Sequence, residues 1–131
     1  MAINNKSDFG SGKTILLVDD EKDIAELLAE FFEALGYRVI LTFNGDEAFI
    51  VFNEEKIDIV ITDIRMPKMN GLKLLKHIKS SMPRFPVILM TGFALNSRDL
   101  SNIRYSADAY VVKPFDLIFM KKLVEKLLEN R

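Results

Sequence analysis

Five polar residues in this chain stand where short apolar runs stop. Ile15-Leu16-Leu17-Val18 runs into Asp19-Asp20, Ile57–Thr62 into Asp63, Val87–Met90 into Thr91, and Tyr110-Val111-Val112 into Lys113-Pro114. Carboxylate oxygens suit a hard divalent cation, and an ammonium answers the charge of a phosphoryl group. Brought together, three carboxylates, a hydroxyl and an ammonium can hold both. Each residue also has a plainer reading. Asp19 or Asp20 can cap a helix N-terminus, Asp63 can start a turn, Thr91 can be a β-branched strand residue, and Lys113 can reach solvent from a sheet edge. Two adjacent carboxylates at a strand end repel each other, however, and a bound Mg²⁺ relieves that repulsion. Asp63 ends a strand that otherwise buries every residue, where an unpaired carboxylate is expensive. A carboxylate so placed can act as a nucleophile toward phosphorus, with Mg²⁺ and a lysine compensating the charge. Gly92 after Thr91 lets a backbone N–H approach a phosphoryl oxygen beside the hydroxyl. Pro114 makes the Lys113–Pro114 bond a candidate cis peptide.

Continuous apolar runs of this length read as strands buried on both faces, as in a parallel sheet. They are expected at about Thr14–Val18, Tyr37–Leu41, the stretch ending at Thr62, Pro86–Met90 and Ala109–Val112. Between them, apolar residues recur at helical spacing. Ile24, Leu27, Leu28, Phe31, Phe32 and Leu35 mark a first helix, with Gly36 where a C-cap belongs. Asn44-Gly45 turns into a helix through Ala48, Phe49 and Phe52. Leu72, Leu74, Leu75 and Ile78 mark a third, closed by Met82-Pro83. A more polar helix is expected over about 96–105 and a last one over about Phe115–Glu129. This alternation predicts an α/β fold: a single doubly wound (βα)5 domain, flavodoxin-like, with a parallel sheet in the order 2-1-3-4-5. Its ligand edge is the carboxyl end of the strands, where the five polar residues fall.

The balance of 18 basic and 19 acidic residues gives no pull toward nucleic acid or an anionic membrane. The absence of cysteine rules out disulfides and thiolate metal sites. No apolar run reaches the roughly 20 residues that span a bilayer, and the polar opening does not read as a signal peptide. The expected location is cytoplasmic. Residues 1–13 read as a flexible tail and residues 14–130 as the domain, leaving no room for a DNA-binding output domain after Arg131. The lone His77 reads as solvated, and Lys121, Lys122 and Lys126 as a solvated helix face.

Four stretches in order, Leu16-Leu17-Val18-Asp19-Asp20-Glu21, Thr62–Gly71, Met90-Thr91-Gly92 and Ala107–Phe115, identify the family that the chain resembles: the response regulator receiver domain of two-component signalling, of the chemotaxis-regulator type. The resemblance spans about Lys13–Glu129. It implies that Asp63 accepts a phosphoryl group from a phosphohistidine on a sensor histidine kinase or a histidine phosphotransfer protein. It implies Mg²⁺, with Mn²⁺ as a substitute, held by Asp20, Asp63 and the Arg65 backbone carbonyl, and by Asp19 through a water. Lys113 is expected to pair with the phosphoryl oxygens. Thr91 is expected to swing onto the phosphoryl group and Tyr110 to turn inward behind it. That change would reshape the face made by the helix at about 96–105, the fifth strand and the last helix. A downstream protein or a second copy would bind there. The implied role is a switch with slow self-dephosphorylation, not a turnover enzyme, with no direct contact to nucleic acid or membrane.

The chain departs from the family pattern at several places. Ser106 stands where glycine is usual, just after the polar helix. The resemblance implies that the positions of Arg65 and Phe93 border the path of hydrolytic water, which makes both candidates for tuning the phosphorylated lifetime. On the last helix, Leu117, Met120, Leu123, Val124, Leu127 and Leu128 form one stripe. Ile118 falls on the opposite, polar face and Phe119 at the stripe's edge, as candidate partner contacts beside the simpler reading of ordinary exposed apolar residues. The alternative function is a receiver-like interaction module that works without phosphorylation. A small-molecule aspartyl-phosphate hydrolase would want a second Asp where Arg65 stands, and a flavin mononucleotide carrier would not place Asp19-Asp20-Glu21 against a phosphate.

Overall fold

Each apolar run becomes a strand because it can bury side chains on both faces at once. The strands are β1 (Thr14–Val18), β2 (Arg38–Thr42), β3 (Ile59–Asp63), β4 (Val87–Thr91) and β5 (Ala109–Val112). In the computed structural model, which describes residues 12–66, 69–92 and 107–129, they form one parallel sheet in the order β2-β1-β3-β4-β5. Four helices are described: α1 (Lys22–Ala34), α2 (Gly45–Glu54), α3 (Gly71–Ser81) and α4 (Leu117–Glu129). The helix expected over about 96–105, Phe93 and Ser106 lie outside the described residues, as does nearly all of the expected tail.

Every residue of β1, β3 and β4 is buried, and alternate residues feed two cores, because successive strand side chains point to opposite faces. On one face Ile15, Leu17, Ile61, Ile88 and Met90 pack with Leu28 and Phe32 of α1 and Met120 and Val124 of α4. On the other, Leu16, Val18, Val60 and Leu89 pack with Ala48 of α2 and Leu74, Leu75 and Ile78 of α3. The predicted helical stripes are the faces turned toward these cores, with one exception: Leu27 of α1 is 56% exposed.

Two small departures from the sequence expectation bear on the site. β3 includes Asp63, whose register partner is Met90, so the acid sits within the ladder rather than in the loop beyond it. β4 likewise includes Thr91, opposite Val112. Both candidate site residues therefore have strand-fixed backbones.

The amino ends of the strands are stapled by two matching devices. Asp58 N donates to Thr14 O at 2.9 Å, and Thr14 N donates to Asp58 Oδ2 at 2.8 Å. Asp108 N donates to Val87 O at 3.1 Å, and Val87 N donates to Asp108 Oδ2 at 2.8 Å. Each joins the start of one strand to the residue just before a neighbouring strand, β1 to β3 and β4 to β5. Lys79 Nζ also donates to Asp108 Oδ2, at 2.8 Å.

Caps set the helix starts. Asn44 accepts from Glu47 N and Asn70 from Lys73 N, both at 2.9 Å, which satisfies amides that the helix itself leaves free. α1 is capped at Leu35 and followed by Gly36, whose φ of 97° is a left-handed conformation that glycine adopts without strain.

Candidate functional site

The strand order reverses between β1 and β3, and the carboxyl ends of those strands form the crevice where open α/β sheets bind ligands. Asp19 follows β1, and Asp19 N donates to Thr42 O at 3.2 Å, extending the ladder by one residue. Its side chain is fully buried, and Oδ1 accepts from Glu21 N at 2.9 Å. The capping reading does not hold: the N-cap of α1 is Glu21, with no side-chain cap bond, and Asp19 instead makes an Asx-type turn that leads the chain into α1. Its other oxygen, Oδ2, accepts from Lys113 Nζ at 2.8 Å. One carboxylate serves both the turn and the site.

Asp63 is 7% exposed. Oδ1 accepts from Ile64 N at 2.8 Å and Oδ2 from Lys113 Nζ at 3.1 Å. Oxygen atoms of Asp19, Asp20 and Asp63 lie within 4.8 Å of one another. Two ionised carboxylates that close repel by about 3 kcal/mol even at an effective dielectric of about 20. Asp20 is the exposed member, and among the described residues no hydrogen bond or ion pair reaches its carboxylate.

Lys113 reaches this group from the end of β5. Lys113 N donates to Thr91 O at 2.6 Å, which roots the lysine beside the threonine. The Lys113–Pro114 peptide bond is cis. The lysine side chain is only 9% exposed, and its third partner is Glu21 Oε1 at 2.9 Å. Burial alone pulls the ammonium pKa down, but hydrogen bonds to Asp19, Glu21 and Asp63 outweigh it and push the value above the usual lysine range. The Asp63 pKa is raised as well, which for a carboxylate disfavours the charged form. Burial raises its pKa and Asp19 raises it further, outweighing the lowering by Lys113 and the Ile64 N–H. Four carboxylates against one ammonium leave the edge strongly negative.

The donor set fits a divalent cation. It consists of hard carboxylate oxygens, two of them oriented by backbone N–H groups, around a position where an ammonium already neutralises part of the charge. Thr91 is buried at the same edge. Gly92 is exposed, and a side chain there would meet nothing within 4 Å. Arg65 is exposed.

Three further residues matter that no periodicity announced. Glu21 stood in the acidic run without a role of its own, yet it holds Lys113. Gly71, first residue of α3, lies so close to β3 that a methyl group there would overlap the Asp63 carbonyl oxygen. Gly71 N also donates to Ile64 O at 2.7 Å, closing the loop after Asp63. Gly45 meets Met69 in the same way. Neither close approach is announced in the sequence, because packing sets it.

Residues 15–126 match the family model of the response regulator receiver domain. The chain belongs to this family. Receiver domains are signalling switches of two-component systems and bind Mg²⁺ at a cluster of aspartates, the group formed here by Asp19, Asp20 and Asp63. The regulatory protein AtoC of Escherichia coli (strain K12) is 39% identical over 115 residues, 88% of this chain and 25% of AtoC. The transcriptional regulatory protein CrdR of Helicobacter pylori (strain ATCC 700392 / 26695) is 33% identical over 119 residues, 90% of this chain and 56% of CrdR. This receiver domain thus spans about a quarter to about a half of the curated relatives it matches. Among solved structures, the response regulator TrrA of Thermotoga maritima, in complex with Mg²⁺-BeF, is 40% identical with a TM-score of 0.80, covering 88% of this chain and 98% of TrrA. The receiver domain of the Francisella response regulator 1452 is 27% identical with a TM-score of 0.83, covering 91% and 98%.

Two surfaces flank the receiver site. A groove of about 570 Å³ opens beside Glu21 and Lys113, lined by Ile24, Leu27 and Leu28 of α1 and by Phe115 and Leu117. On the β5–α4 side, Tyr110, Val112, Ile118 and Phe119 are exposed, the last two at 53% and 55%. Ile118 and Phe119 thus both point away from the core that Met120 and Val124 enter. Among the described residues, no helix is long and apolar enough to cross a membrane.

Proposed function

We propose that this receiver domain, residues 14–130, is a phosphorylation-activated switch in which Asp63 accepts a phosphoryl group from a phosphohistidine donor. The observation that carries this reading is the placement of Asp63 Oδ2, held 3.1 Å from Lys113 Nζ inside a cluster with Asp19 and Asp20. An Asp63 oxygen attacks phosphorus. The P–N bond breaks, its electron pair leaves with the imidazole, which takes up a proton, and the new bond is an acyl phosphate. Asp20, Asp63 and the Arg65 carbonyl would hold Mg²⁺, with Asp19 assisting through a water; Mn²⁺ is the expected substitute. The ion offsets charge that would otherwise oppose an anion meeting an anion. Lys113 moves from Asp63 to the phosphoryl oxygens, and Thr91 and the Gly92 N–H approach them from β4.

The donor is a sensor histidine kinase or a histidine phosphotransfer protein, and the groove between α1 and Phe115 beside Lys113 supports its docking at this edge. The output is an altered surface around β5 and α4, read by a downstream protein or by a second copy. Tyr110, exposed here, turns inward in that state. Phosphorylation is such a switch because it adds charge and acceptor oxygens at one point. The proposed location is cytoplasmic, and the proposed domain touches neither nucleic acid nor membrane. Arg65 is proposed to tune the phosphorylated lifetime.

The test is intact-protein mass after incubation with acetyl phosphate and Mg²⁺. Wild type gains one phosphoryl group and Asp63→Ala gains none. No gain in wild type, with sound controls, favours the phosphorylation-independent module. Ile118→Glu is expected to weaken partner capture or self-association, read by light scattering and pull-down, while mass gain stays at the wild-type level. Unchanged association would remove Ile118 from the output surface.

A further inference from the structure

The Lys113 ammonium has three N–H donors, and each has a carboxylate: Asp19 at 2.8 Å, Glu21 at 2.9 Å and Asp63 at 3.1 Å. Asp19 and Asp63 belong to the group whose oxygens converge for a cation, and Glu21 does not. Glu21 differs in setting too. It is the N-cap residue of α1 and its side chain is 58% exposed, so it reaches the ammonium from the rim. The backbones at both ends of this contact are fixed, Lys113 by its bond to Thr91 O and Glu21 by its bond to Asp19 Oδ1.

We infer that Glu21 is a positioning residue for Lys113, keeping the ammonium at the acidic edge while Asp19 and Asp63 turn to a divalent cation. The inference rests on the proposed phosphoacceptor reading and adds a residue to it. Without Glu21, the only carboxylates on the ammonium are two that the cation needs. Lys113 then either blocks the cation or withdraws, leaving a mostly buried ammonium with no charged partner, which is costly. With Glu21, the exchange proceeds in steps. Lys113 releases Asp63 and Asp19 while one charge-assisted hydrogen bond holds it in reach of an incoming phosphoryl oxygen. A purely electrostatic contribution of Glu21 would attract the cation whether or not Lys113 were present, and that difference is measurable.

The experiment is a double-mutant cycle in Mg²⁺ affinity, measured by calorimetry on wild type, Glu21→Gln, Lys113→Met and the double variant, each checked for cooperative melting. Glu21→Gln is expected to weaken Mg²⁺ binding by about threefold more with Lys113 present than in the Lys113→Met background, the scale of a partly exposed ion pair. Equal weakening in both backgrounds, or tighter binding in Glu21→Gln, overturns the inference while leaving the phosphoacceptor reading intact. A wild type that binds no Mg²⁺ removes both. If Lys113→Met does not melt cooperatively, side-chain ¹³C relaxation of Lys113 in Mg²⁺-saturated protein decides. Order in wild type and mobility in Glu21→Gln support the inference, and equal order in both overturns it.

Discussion

At the scale of single residues, the site is built from groups whose preferences conflict. Asp63 holds its proton more tightly than an ordinary carboxyl, because burial and Asp19 oppose its charge, while the proposed phosphoryl transfer needs it ionised. The raised pKa sets the sign of a pH effect. In metal-free buffer the folded state keeps the Asp63 proton to higher pH than the unfolded chain does. This stabilisation is full below the ordinary carboxylate value and is lost as pH rises through the raised one. Asp63→Asn cannot ionise and is expected to melt higher than wild type at neutral pH without metal, while losing phosphoryl uptake entirely. Denaturant titrations of both proteins across a pH series check this, and the gap closes at low pH. A wild type as stable as Asp63→Asn at neutral pH would contradict the conflict described here. Such a trade of stability for function is common at reactive sites.

At the scale of elements, the site depends on how closely helices approach strand ends. α3 begins on Gly71 against the Asp63 carbonyl. Gly71→Ala pushes α3 and the end of β3 apart, with an expected cost of about 1–3 kcal/mol for overpacking. Phosphoryl uptake from acetyl phosphate falls with it, so denaturant midpoint and intact mass shift together. At the other end of the strands, Asp108→Ala strips a partner from the Val87 amide and from Lys79. The expected cost is about 1–3 kcal/mol for the amide left without its acceptor. Because this change lies at the far end of β4 and β5 from Lys113, it lowers the melting temperature while uptake at low temperature persists. The alternation of strands and helices was legible because both faces of β1, β3 and β4 are apolar and the helical stripes repeat. The approach of Gly71 was not, since closeness between α3 and β3 is a property of packing that a single glycine does not announce.

For the whole molecule, the sheet gathers a strongly negative edge that a cation relieves. Saturating Mg²⁺ at about a hundredfold over its dissociation constant is expected to stabilise the domain by about 2.7 kcal/mol. A thermal melt with and without Mg²⁺ reads this, and the shift is abolished in Asp63→Asn combined with Asp20→Asn. The acids, Thr91 and Lys113 were legible because strand ends in a parallel sheet converge, so their position in sequence foretold a meeting in space. Glu21 shows where that reasoning stops. It lies 92 residues from Lys113, and neither strand order nor helical spacing says which of three adjacent acids a lysine will choose. The polar segment at 93–106, bearing Phe93 and Ser106, adds nothing to this comparison.

The two aspartate staples have a consequence for motion. They bind β1 to β3 and β4 to β5 at the amino ends, and neither crosses from β3 to β4. The sheet is thus a β2-β1-β3 ribbon and a β4-β5 ribbon meeting along the β3–β4 seam, with Asp63 and Thr91 on either side of its carboxyl end. Local opening in hydrogen exchange should follow that seam, with the Thr14 and Val87 amides the last to trade their protons. A group carried on Asp63 and bonded by Thr91 would act as a zip on the β3–β4 junction, which neither staple fastens.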